Sequence, residues 1–368
     1  MNMIHLKNNW PIKKLGEIAK IYQGGKSGLT KKDYVKSGFS AFSAMGQDGF
    51  TKKAFDSGSA VILSSIGARC GKCFYAEGKW TALANTQVIK PDNPITAKFL
   101  YYYLNDENKW PRYGSAQPFI APSTVKRLKV PFPPLKIQQK IVERLDAIKK
   151  AQELNDKQIE LAEELFQGLL HCELDPKGKN WEVKRLGDIT KIESGGTPST
   201  KKTEYWNGDI LWLTPKELSN FKGIEIYDTE RKITKLGLDH SSAKILPIGT
   251  VLLTSRAPIG YVAIAGKPMA TNQGFKNFIC DKKLLNNKFL YYFLKNKTKE
   301  IQSLGRGATF GEVSKGIVSN IKIPLPPLET QKKIVEKLSA VQEYKKKLLD
   351  QKQKLQELFE SVLDKSLK

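Results

Sequence analysis

Three short segments contain residue types that could perform chemistry, and each one is incomplete. The segment GKS at 25–27 matches the end of a phosphate-binding loop, but Lys20 stands where GxxxxGK[ST] requires its first glycine. The segment FPPL at 132–135 lacks the polar first residue with which an amino-methyltransferase would hold its target amine. The glycine-rich segment 305–311 does not have dinucleotide-binding spacing. These failures predict no catalytic residue in this chain.

The cysteines and histidines do not predict a metal site. Cys70 and Cys73 form a CxxC pair, but no second pair or histidine cluster completes a zinc site, because the three histidines are scattered along the chain. Only four cysteines occur, which is typical of a protein in a reducing compartment without a disulfide framework. We expect a cytoplasmic protein with no bound metal.

An acidic pattern of the kind found in nucleases is the remaining chemical candidate. Asp92, followed by Glu107 and Lys109, formally matches PD-(D/E)xK. A chance [DE]xK is common in so lysine-rich a chain. The pattern also flanks a predicted aromatic helix rather than a strand. A nuclease that works alone is therefore a hypothesis that rests only on this acidic pattern.

The charge balance predicts a polyanionic partner. The chain has 61 Lys and Arg against 37 Asp and Glu, a formal net charge of +24. DNA, RNA, an anionic membrane or an acidic protein would each neutralise this excess. No stretch approaches the roughly 18 uncharged apolar residues of a membrane span, and Met1–Trp10 has no signal-peptide core. We expect nucleic acid as the partner and no membrane association.

The sequence is an internal repeat of three blocks in the same order. The first block, 10–34, returns at 181–205 with its Trp, Leu-Gly, Gly-Gly and Tyr in register. KFLYYYL at 98–104 returns as KFLYYFL at 288–294, and VPFPPLKIQQKIVERL at 130–145 returns as IPLPPLETQKKIVEKL at 323–338. Trp181 lies 171 positions after Trp10, whereas Ile323 lies 193 positions after Val130. The second copy therefore carries extra residues between shared blocks, as expected for related readers of different targets; neutral drift in loops is the alternative.

Each copy has the same predicted plan of a β-rich domain followed by a long helix. Apolar runs at 60–65 and 249–253 predict strands, and the aromatic segment predicts a buried helix. A proline cluster then ends the domain and starts the helix. This plan predicts an α+β fold with target-binding domains at 1–134 and 173–327, a central helix at 135–172 and a C-terminal helix at 328–368.

Both long helices carry a heptad stripe, which predicts a partner helix. The positions spaced alternately by four and three are Ile141, Leu145, Ile148, Gln152, Asn155, Ile159, Ala162, Phe166 and Leu169 in the first helix, and Ile334, Leu338, Val341, Lys345, Leu348, Lys352, Leu355, Phe359 and Val362 in the second. We expect the helices to pair as an antiparallel coiled coil with pseudo-two-fold symmetry. The alternative is that each helix packs only on its own domain.

The helices are long enough to space two DNA-reading domains. About 35 residues at 1.5 Å each give roughly 50 Å, which exceeds one turn of B-DNA. Planar or amide donors read bases, and lysines contact phosphates. The candidate DNA-binding residues are Lys26, Lys31, Lys32, Arg69, Gln87, Lys201, Lys202, Arg256, Asn272, Gln273, Lys276 and Arg306.

The whole pattern resembles the specificity subunit of type I restriction–modification enzymes. The PPL segments at 133–135 and 326–328, each followed by Gln, Ile and Val at fixed spacing, carry the resemblance at the helix starts. The segments 254–264 (TSRAPIGYVAI) and 271–275 (TNQGF) are similar to the core of that family's target-recognition domains. The resemblance spans essentially the whole chain.

The resemblance implies a non-catalytic subunit that selects a DNA sequence. Each domain would read one half of a bipartite, asymmetric site on double-stranded DNA, and the helices would set the spacer and dock two methyltransferase subunits. Those subunits would supply S-adenosylmethionine, and restriction/translocase subunits would use ATP; this chain would bind no cofactor. Exposed leucines are the candidate partner-binding residues: Leu154, Leu161, Leu165, Leu349 and Leu358. A free-standing bipartite DNA-binding regulator without a catalytic partner is the alternative.

Overall fold

The computed structural model describes residues 10–305 and 311–367. The chain divides into two compact units: unit 1 is Met1–Lys157 with Asp350–Lys368, and unit 2 is Gln158–Leu349. Each unit therefore contains one copy of the repeat, the first part of that copy's own long helix and the last part of the other copy's helix. The candidate Arg306 lies outside the described residues.

The two copies share a framework of helices and strands. The first copy contains β1 (Ile12–Lys14), α1 (Leu15–Ile18), β2 (Lys20–Gln23), β3 (Phe39–Ser43), β4 (Gly46–Thr51), β5 (Asp56–Ser57), β6 (Ala60–Ser64), β7 (Cys73–Ala76), β8 (Lys79–Ala82), β9 (Thr86–Lys90), α2 (Pro94–Leu104), α3 (Pro122–Arg127), β10 (Lys129–Pro131) and α4 (Leu135–Leu174). The second contains β11 (Glu182–Arg185), α5 (Leu186–Ile189), β12 (Thr190–Ser194), β13 (Trp206–Leu213), α6 (Pro215–Asn220), β14 (Glu225–Ile226), β15 (Lys232–Ile233), α7 (Lys235–Asp239), β16 (Val251–Thr254), β17 (Val262–Ala265), β18 (Ala270–Thr271), β19 (Phe275–Cys280), α8 (Asn287–Asn296), α9 (Thr298–Leu304), α10 (Lys315–Ser319), β20 (Lys322–Leu325) and α11 (Leu328–Leu367). The helices α6, α7 and α9 are additional in the second copy.

Unit 1 has two four-stranded sheets and a short ribbon. One sheet has the order β2-β9-β6-β7 and the other β4-β3-β8-β5, while β1 pairs with β10. All five residues of β6 are buried, as expected for a continuous apolar run that is covered on both faces. The β3–β8 pair is parallel, with Phe42 opposite Ala82. The other named pairs of unit 1 are antiparallel.

Unit 2 has a related arrangement, in which the larger sheet has one strand more than in unit 1 and the smaller sheet one strand fewer. Its larger sheet has the order β12-β19-β16-β17-β14, the smaller one β15-β13-β18, and β11 pairs with β20. The parallel β13–β18 pair, with Leu213 opposite Thr271, corresponds to β3–β8 of unit 1. The predicted strand at 249–253 begins two residues later, at Val251, because Gly249 adopts a φ of 85° in the preceding turn.

A glutamine in the first turn anchors each long helix to the proline cluster before it. The Nε2 atom of Gln138 donates to the carbonyl oxygen of Pro133 at 2.8 Å, and that of Gln331 donates to Pro326 at 2.8 Å. Proline lacks an N–H and stops the preceding strand, while its free carbonyl accepts this bond. The PPLxxQ spacing shared by the two copies therefore has a direct structural cause.

The two long helices pair in antiparallel fashion within each unit. In unit 1, Gln152 donates to Gln356 at 3.3 Å, and Lys352 forms an ion pair with Asp156 at 2.8 Å. In unit 2, Glu163 and Glu173 of α4 form ion pairs with α11: Lys345 with Glu163, and Lys337 with Glu173 at 2.6 Å. Rising numbers in α4 thus match falling numbers in α11, which confirms the predicted pairing.

The heptad residues supply the apolar seam. Ile141 and Leu145 are buried with the core of the first domain, and Ile334 and Leu338 with that of the second. The polar seam position Lys352 is exposed instead, since its ammonium group reaches Asp156 at the helix surface. No helix of the described chain is long and apolar enough to cross a lipid bilayer.

Candidate nucleic-acid interface

A glycine loop after β12 packs against the turn between β18 and β19 in unit 2. A Cβ atom at Gly195 would lie 1.9 Å from the carbonyl oxygen of Asn272, and one at Gly196 would lie 2.2 Å from the amide nitrogen of Ala243. Only glycine tolerates such close approach. The amide of Gly196 donates to the carbonyl of Thr271 at 2.9 Å. The loop that carries Lys201 is thereby fixed beside the TNQGF turn.

The amides of the TNQGF turn are largely occupied within the protein. Asn272 donates from Nδ2 to the hydroxyl of Thr197 at 2.9 Å, and its Oδ1 atom accepts from the amide of Gly274 at 2.8 Å. Gln273 is exposed and accepts a hydrogen bond from Thr197. Asn272 therefore holds the turn and the loop together, whereas Gln273 presents its amide at the surface.

Arg256 belongs to an ionic network rather than standing free. Its guanidinium contacts the carboxylate of Glu312 at 2.8 Å, and the ammonium of Lys276 contacts the other oxygen of Glu312 at 3.1 Å. Partial burial disfavours the charged form of Glu312, but the hydrogen bonds from Arg256 and Lys276 outweigh that effect and hold the pKa of Glu312 below its ordinary value. Arg256 remains half exposed, so its outer face is accessible.

Two predicted DNA-binding side chains, Lys276 and Gln87, are buried. The Lys276 side chain is 5% exposed, and Gln87 is 2% exposed with its Nε2 atom donating to the carbonyl of Ile120 at 2.7 Å. They occupy equivalent positions, because Lys276 lies opposite Leu253 and Gln87 opposite Leu63 in the matching strand pairs. Their interpretation as DNA-binding residues is corrected, because Gln87 links β9 to the segment before α3 and Lys276 links β19 to the segment before α10.

Arg69 of unit 1 has a different environment from Arg256. Its Nη1 atom donates to the carbonyl of Met45 at 2.8 Å, and its guanidinium lies 5.9 Å from the centre of the Phe74 ring. No carboxylate within the described part of the chain forms an ion pair with it. Its charge is therefore not neutralised locally, which suits contact with a polyanion.

The lysines predicted to contact phosphate are exposed in both units. Lys26 lies 4.9 Å from the centre of the Tyr22 ring, and Lys202 lies 5.1 Å from that of Tyr205. Lys31 forms an ion pair with Asp48, so it is partly neutralised. The remaining two predicted phosphate contacts, Lys32 and Lys201, are exposed as well.

The structure adds residues that sequence reasoning did not single out. Glu312 follows the glycine-rich segment and becomes significant only through its contacts with Arg256 and Lys276. The guanidinium of Arg231 lies over the Trp206 ring, 3.9 Å from its centre. The one available signal was that Arg231 lies in the part of the second copy that is longer than the first.

The candidate partner-binding leucines are exposed on the long helices. Leu154 is 56% exposed and Leu161 is 52% exposed, and the other three are Leu165, Leu349 and Leu358. Tyr344, 49% exposed, was not predicted. Leu170 of α4 is instead buried in the core of unit 2, because α4 packs against the second domain there.

The cysteines and the glutamate that suggested metal binding or nuclease chemistry are buried in the core or paired with neighbouring charges. Cys70 and Cys73 are buried with free thiols, and burial raises the pKa of both. Glu107 of the acidic pattern forms ion pairs with Lys72 at 3.1 Å and with Arg112 at 3.2 Å. These contacts make Glu107 part of a charged surface network.

A family model described as the type I restriction modification DNA specificity domain matches residues 7–164 and 178–358. The type I restriction enzyme MjaIX specificity subunit of Methanocaldococcus jannaschii is 45% identical over 186 residues, which are 50% of this chain and 42% of that protein. That match therefore spans less than half of the relative. The EcoR124I/EcoR124II specificity subunit of Escherichia coli is 26% identical over 356 residues, 88% of this chain and 84% of that protein.

Solved structures share the fold over nearly the whole chain. The S subunit of a type I restriction–modification system from M. genitalium superposes with a TM-score of 0.65 at 17% identity, covering 100% of this chain and 98% of that one. The HsdS subunit from Thermoanaerobacter tengcongensis has a TM-score of 0.54 at 20% identity, with 98% and 97% coverage. At such identities the likeness concerns the fold, and it confirms the predicted α+β class.

Proposed function

This chain belongs to the family of type I restriction–modification DNA specificity subunits, which are non-catalytic components of their complexes, and we propose that each of its globular domains reads one half of a split, asymmetric DNA sequence. The two domains are assigned to residues 1–134 and 173–327. The observation that carries this proposal is the shared framework with different exposed donors: Arg69 stands beside a backbone carbonyl, and Arg256 beside a carboxylate.

The surface around the TNQGF turn is the proposed reading surface of the second domain. Arg256 and Gln273 expose planar donors, which suit base edges in the major groove. Lys201 and Lys202 lie on the adjoining loop and are suited to phosphates, since a flexible ammonium group fixes position without selecting a base. In the first domain, Arg69 and Lys26 take these roles.

The paired helices are proposed to act as the spacer between half-sites. Helix α4 contains 40 residues, which corresponds to about 60 Å at 1.5 Å per residue. The antiparallel contacts within each unit support the pairing of the two helices. A rigid spacer of fixed length would make the distance between the two half-sites a property of this chain.

The exposed leucines of the helices are proposed to dock two methyltransferase subunits. Apolar side chains such as Leu161 and Leu165 are costly to leave in water when they are clustered, so they suit a protein partner. S-adenosylmethionine and ATP would be bound by the methyltransferase and restriction/translocase subunits, and the assembly would act on double-stranded DNA in the cytoplasm.

Co-expression in a methylation-free host tests this proposal. The chain would be produced with the methyltransferase subunit of its own system, and methyladenine would be mapped across the host genome. We expect a split motif that appears only when both proteins are present. Replacement of residues 174–327 by the corresponding segment of another family member should then change one half of that motif and leave the other half intact.

A helix variant separates docking from DNA reading. Leu161→Ser with Leu165→Ser should abolish methylation while DNA binding persists, because both side chains lie outside the seam. A control substitution at an exposed polar position of the same helix, Glu164→Ser, should leave methylation unchanged. Sequence-specific DNA binding by the unaltered chain without any methylation, despite an intact complex, would favour the free-standing regulator. Failure of the unaltered chain to form a complex with the methyltransferase subunits, or an intact complex with the leucine variant, would contradict the docking role.

A further inference from the structure

The guanidinium of Arg231 in unit 2 lies over an aromatic platform. Its guanidinium is 3.9 Å from the centre of the Trp206 ring and 5.1 Å from that of Trp212. The residue is exposed. A guanidinium stacked on an aromatic face is attracted by the ring electrons and loses rotational freedom before any ligand arrives. The side chain is thus oriented in advance.

The platform is itself rigid and belongs to the loop of the proposed reading surface. Trp206 and Trp212 pack edge to face, with ring centres 5.0 Å apart. The indole N–H of Trp206 donates to the carbonyl of Ser199 at 3.1 Å, and that of Trp212 donates to Gly196 at 2.9 Å. Both acceptors lie in the loop that carries Lys201 and Lys202. Arg231 is therefore attached to the same surface as these lysines.

The backbone of Arg231 is fixed while its donors are open. Its carbonyl oxygen accepts from the amide of Trp212 at 3.2 Å and from the hydroxyl of Thr229 at 2.7 Å. Within residues 10–305 and 311–367, no protein oxygen accepts a hydrogen bond from its guanidinium. By contrast, Arg256 and Arg185 of the same unit are bound to Glu312 and Asp188. A fixed, planar set of unsatisfied donors is suited to a ligand with matched acceptors.

Residues 10–134, the described part of the first domain, contain no corresponding platform. Leu213 lies opposite Thr271 in the β13–β18 pair, and Phe42 lies opposite Ala82 in the equivalent β3–β8 pair. The residues directly before Leu213 and Phe42 are therefore at equivalent positions. They are Trp212 in the second domain and Ala41 in the first. A role of Arg231 would consequently affect only one half of a split site.

We propose that Arg231 is a base-reading residue of the second domain, which donates both arms of its guanidinium to the O6 and N7 atoms of a guanine in the major groove. This assignment rests on the proposed DNA-reading function. A phosphate contact requires charge but no fixed plane, and Lys201 and Lys202 already offer it on the adjoining loop. Bidentate contact with a base edge instead requires the orientation that the Trp206 ring imposes.

Selection from a randomised DNA library by the full-length chain, in complex with its methyltransferase subunits, tests the assignment. Arg231→Lys keeps the positive charge and loses the planar fork. We expect discrimination at one guanine position of the second half-site to fall about tenfold or more, with the first half-site unchanged. Trp206→Leu should relax the same position to a smaller extent. Arg185→Lys is the matched control, since its guanidinium is bound to Asp188, and it should change nothing.

Each contrary result has a distinct meaning. Unchanged preference at every position in Arg231→Lys would overturn the assignment, and so would an equal loss of affinity for all sequences in Arg231→Ala, which indicates a phosphate contact. Thermal melting of each variant identifies one that fails to fold; Arg231→Lys retains the aliphatic stem and provides the decisive comparison. A wild-type complex without any sequence preference would overturn the proposed function itself.

Discussion

The two units attach the end of a long helix by the same aromatic contact. They differ in the tether, the side-chain bond that links strand β9 of unit 1 or β19 of unit 2 to the segment before a short helix. In unit 1, Phe359 of α11 packs on Tyr102 with ring centres 5.9 Å apart, and in unit 2, Phe166 of α4 packs on Tyr292 at 6.1 Å. Both pairs are edge to face. The equivalent aromatic residues thus form equivalent contacts in the two copies.

The tethers of β9 and β19 differ in the chemical type of their partners. In unit 1, Gln87 donates to the carbonyl of Ile120, so a neutral amide contacts the backbone. In unit 2, Lys276 at the equivalent position contacts the carboxylate of Glu312, which also binds Arg256. The helix attachment is therefore a shared framework, whereas the residues beside the proposed reading surface differ in charge and chemistry.

Truncation of the shared aromatic contact should give the largest effect. Phe166→Ala should lower the free energy of unfolding of unit 2 by about 3–5 kcal/mol, because Phe166 is 3% exposed. Phe359→Ala should cost unit 1 less, about 2–3 kcal/mol, since Phe359 is only partly buried. Hydrogen exchange of α8 and α2 amides in increasing urea measures the two units separately. Leu161→Ala, at an exposed position, is the control. Equal losses of stability in all three variants would contradict the packing role of the two phenylalanines.

The tyrosines of the shared contact distinguish a charged from a neutral acceptor. Tyr102 donates to the carboxylate of Asp146, whereas the hydroxyl of Tyr292 bonds with that of Ser339 at 3.0 Å. Tyr102→Phe should therefore cost about 1.5–3 kcal/mol and Tyr292→Phe about 0.5–1.5 kcal/mol. The same exchange measurement compares them. A larger loss for Tyr292→Phe would show that the carboxylate adds no strength to this contact.

The Glu312 tether should depend on pH, while the Gln87 tether should not. The pKa of Glu312 is held below its ordinary 4.5 in the folded protein, so its contribution is fully present above that value and is lost as the pH falls through the lower folded pKa. Glu312→Gln should cost about 1–2 kcal/mol at pH 7, a figure that allows for solvent screening. Thermal melting at pH 7 and near pH 3 should show the difference from wild type becoming smaller in acid.

The control for this prediction is the equivalent tether of unit 1. Gln87→Ala removes a hydrogen bond between groups that do not titrate, so its destabilisation should be similar at both pH values. A Glu312→Gln effect of equal size at pH 7 and pH 3 would contradict the charged character of the second tether.

Much of the fold follows from local patterns in the sequence. The repeat, the proline stops and the heptad stripe predict the element order and the pairing of α4 with α11, because hydrophobic period and chain-breaking residues act over a few turns of chain. The apolar run at 60–65 becomes β6 for the same reason. These properties need no knowledge of distant contacts.

The reading surface could be predicted only in part. Exposed Arg256, Gln273, Lys201 and Lys202 were identified from residue type, yet Gln87 and Lys276 have the same types and are buried. In a strand, a shift of one residue exchanges the buried and exposed faces, and composition does not specify that register. Residue type therefore identifies candidates without deciding which of them reach solvent.

The residues and their spacing alone determined a duplicated, basic, non-catalytic chain with two β-rich domains and two pairing helices. Only the tertiary structure decided that Glu312 neutralises Arg256 and that Trp206 orients Arg231. Those partners are 56 and 25 positions apart in the chain. Contacts between such distant residues depend on how sheets and loops pack together, and no local pattern encodes them.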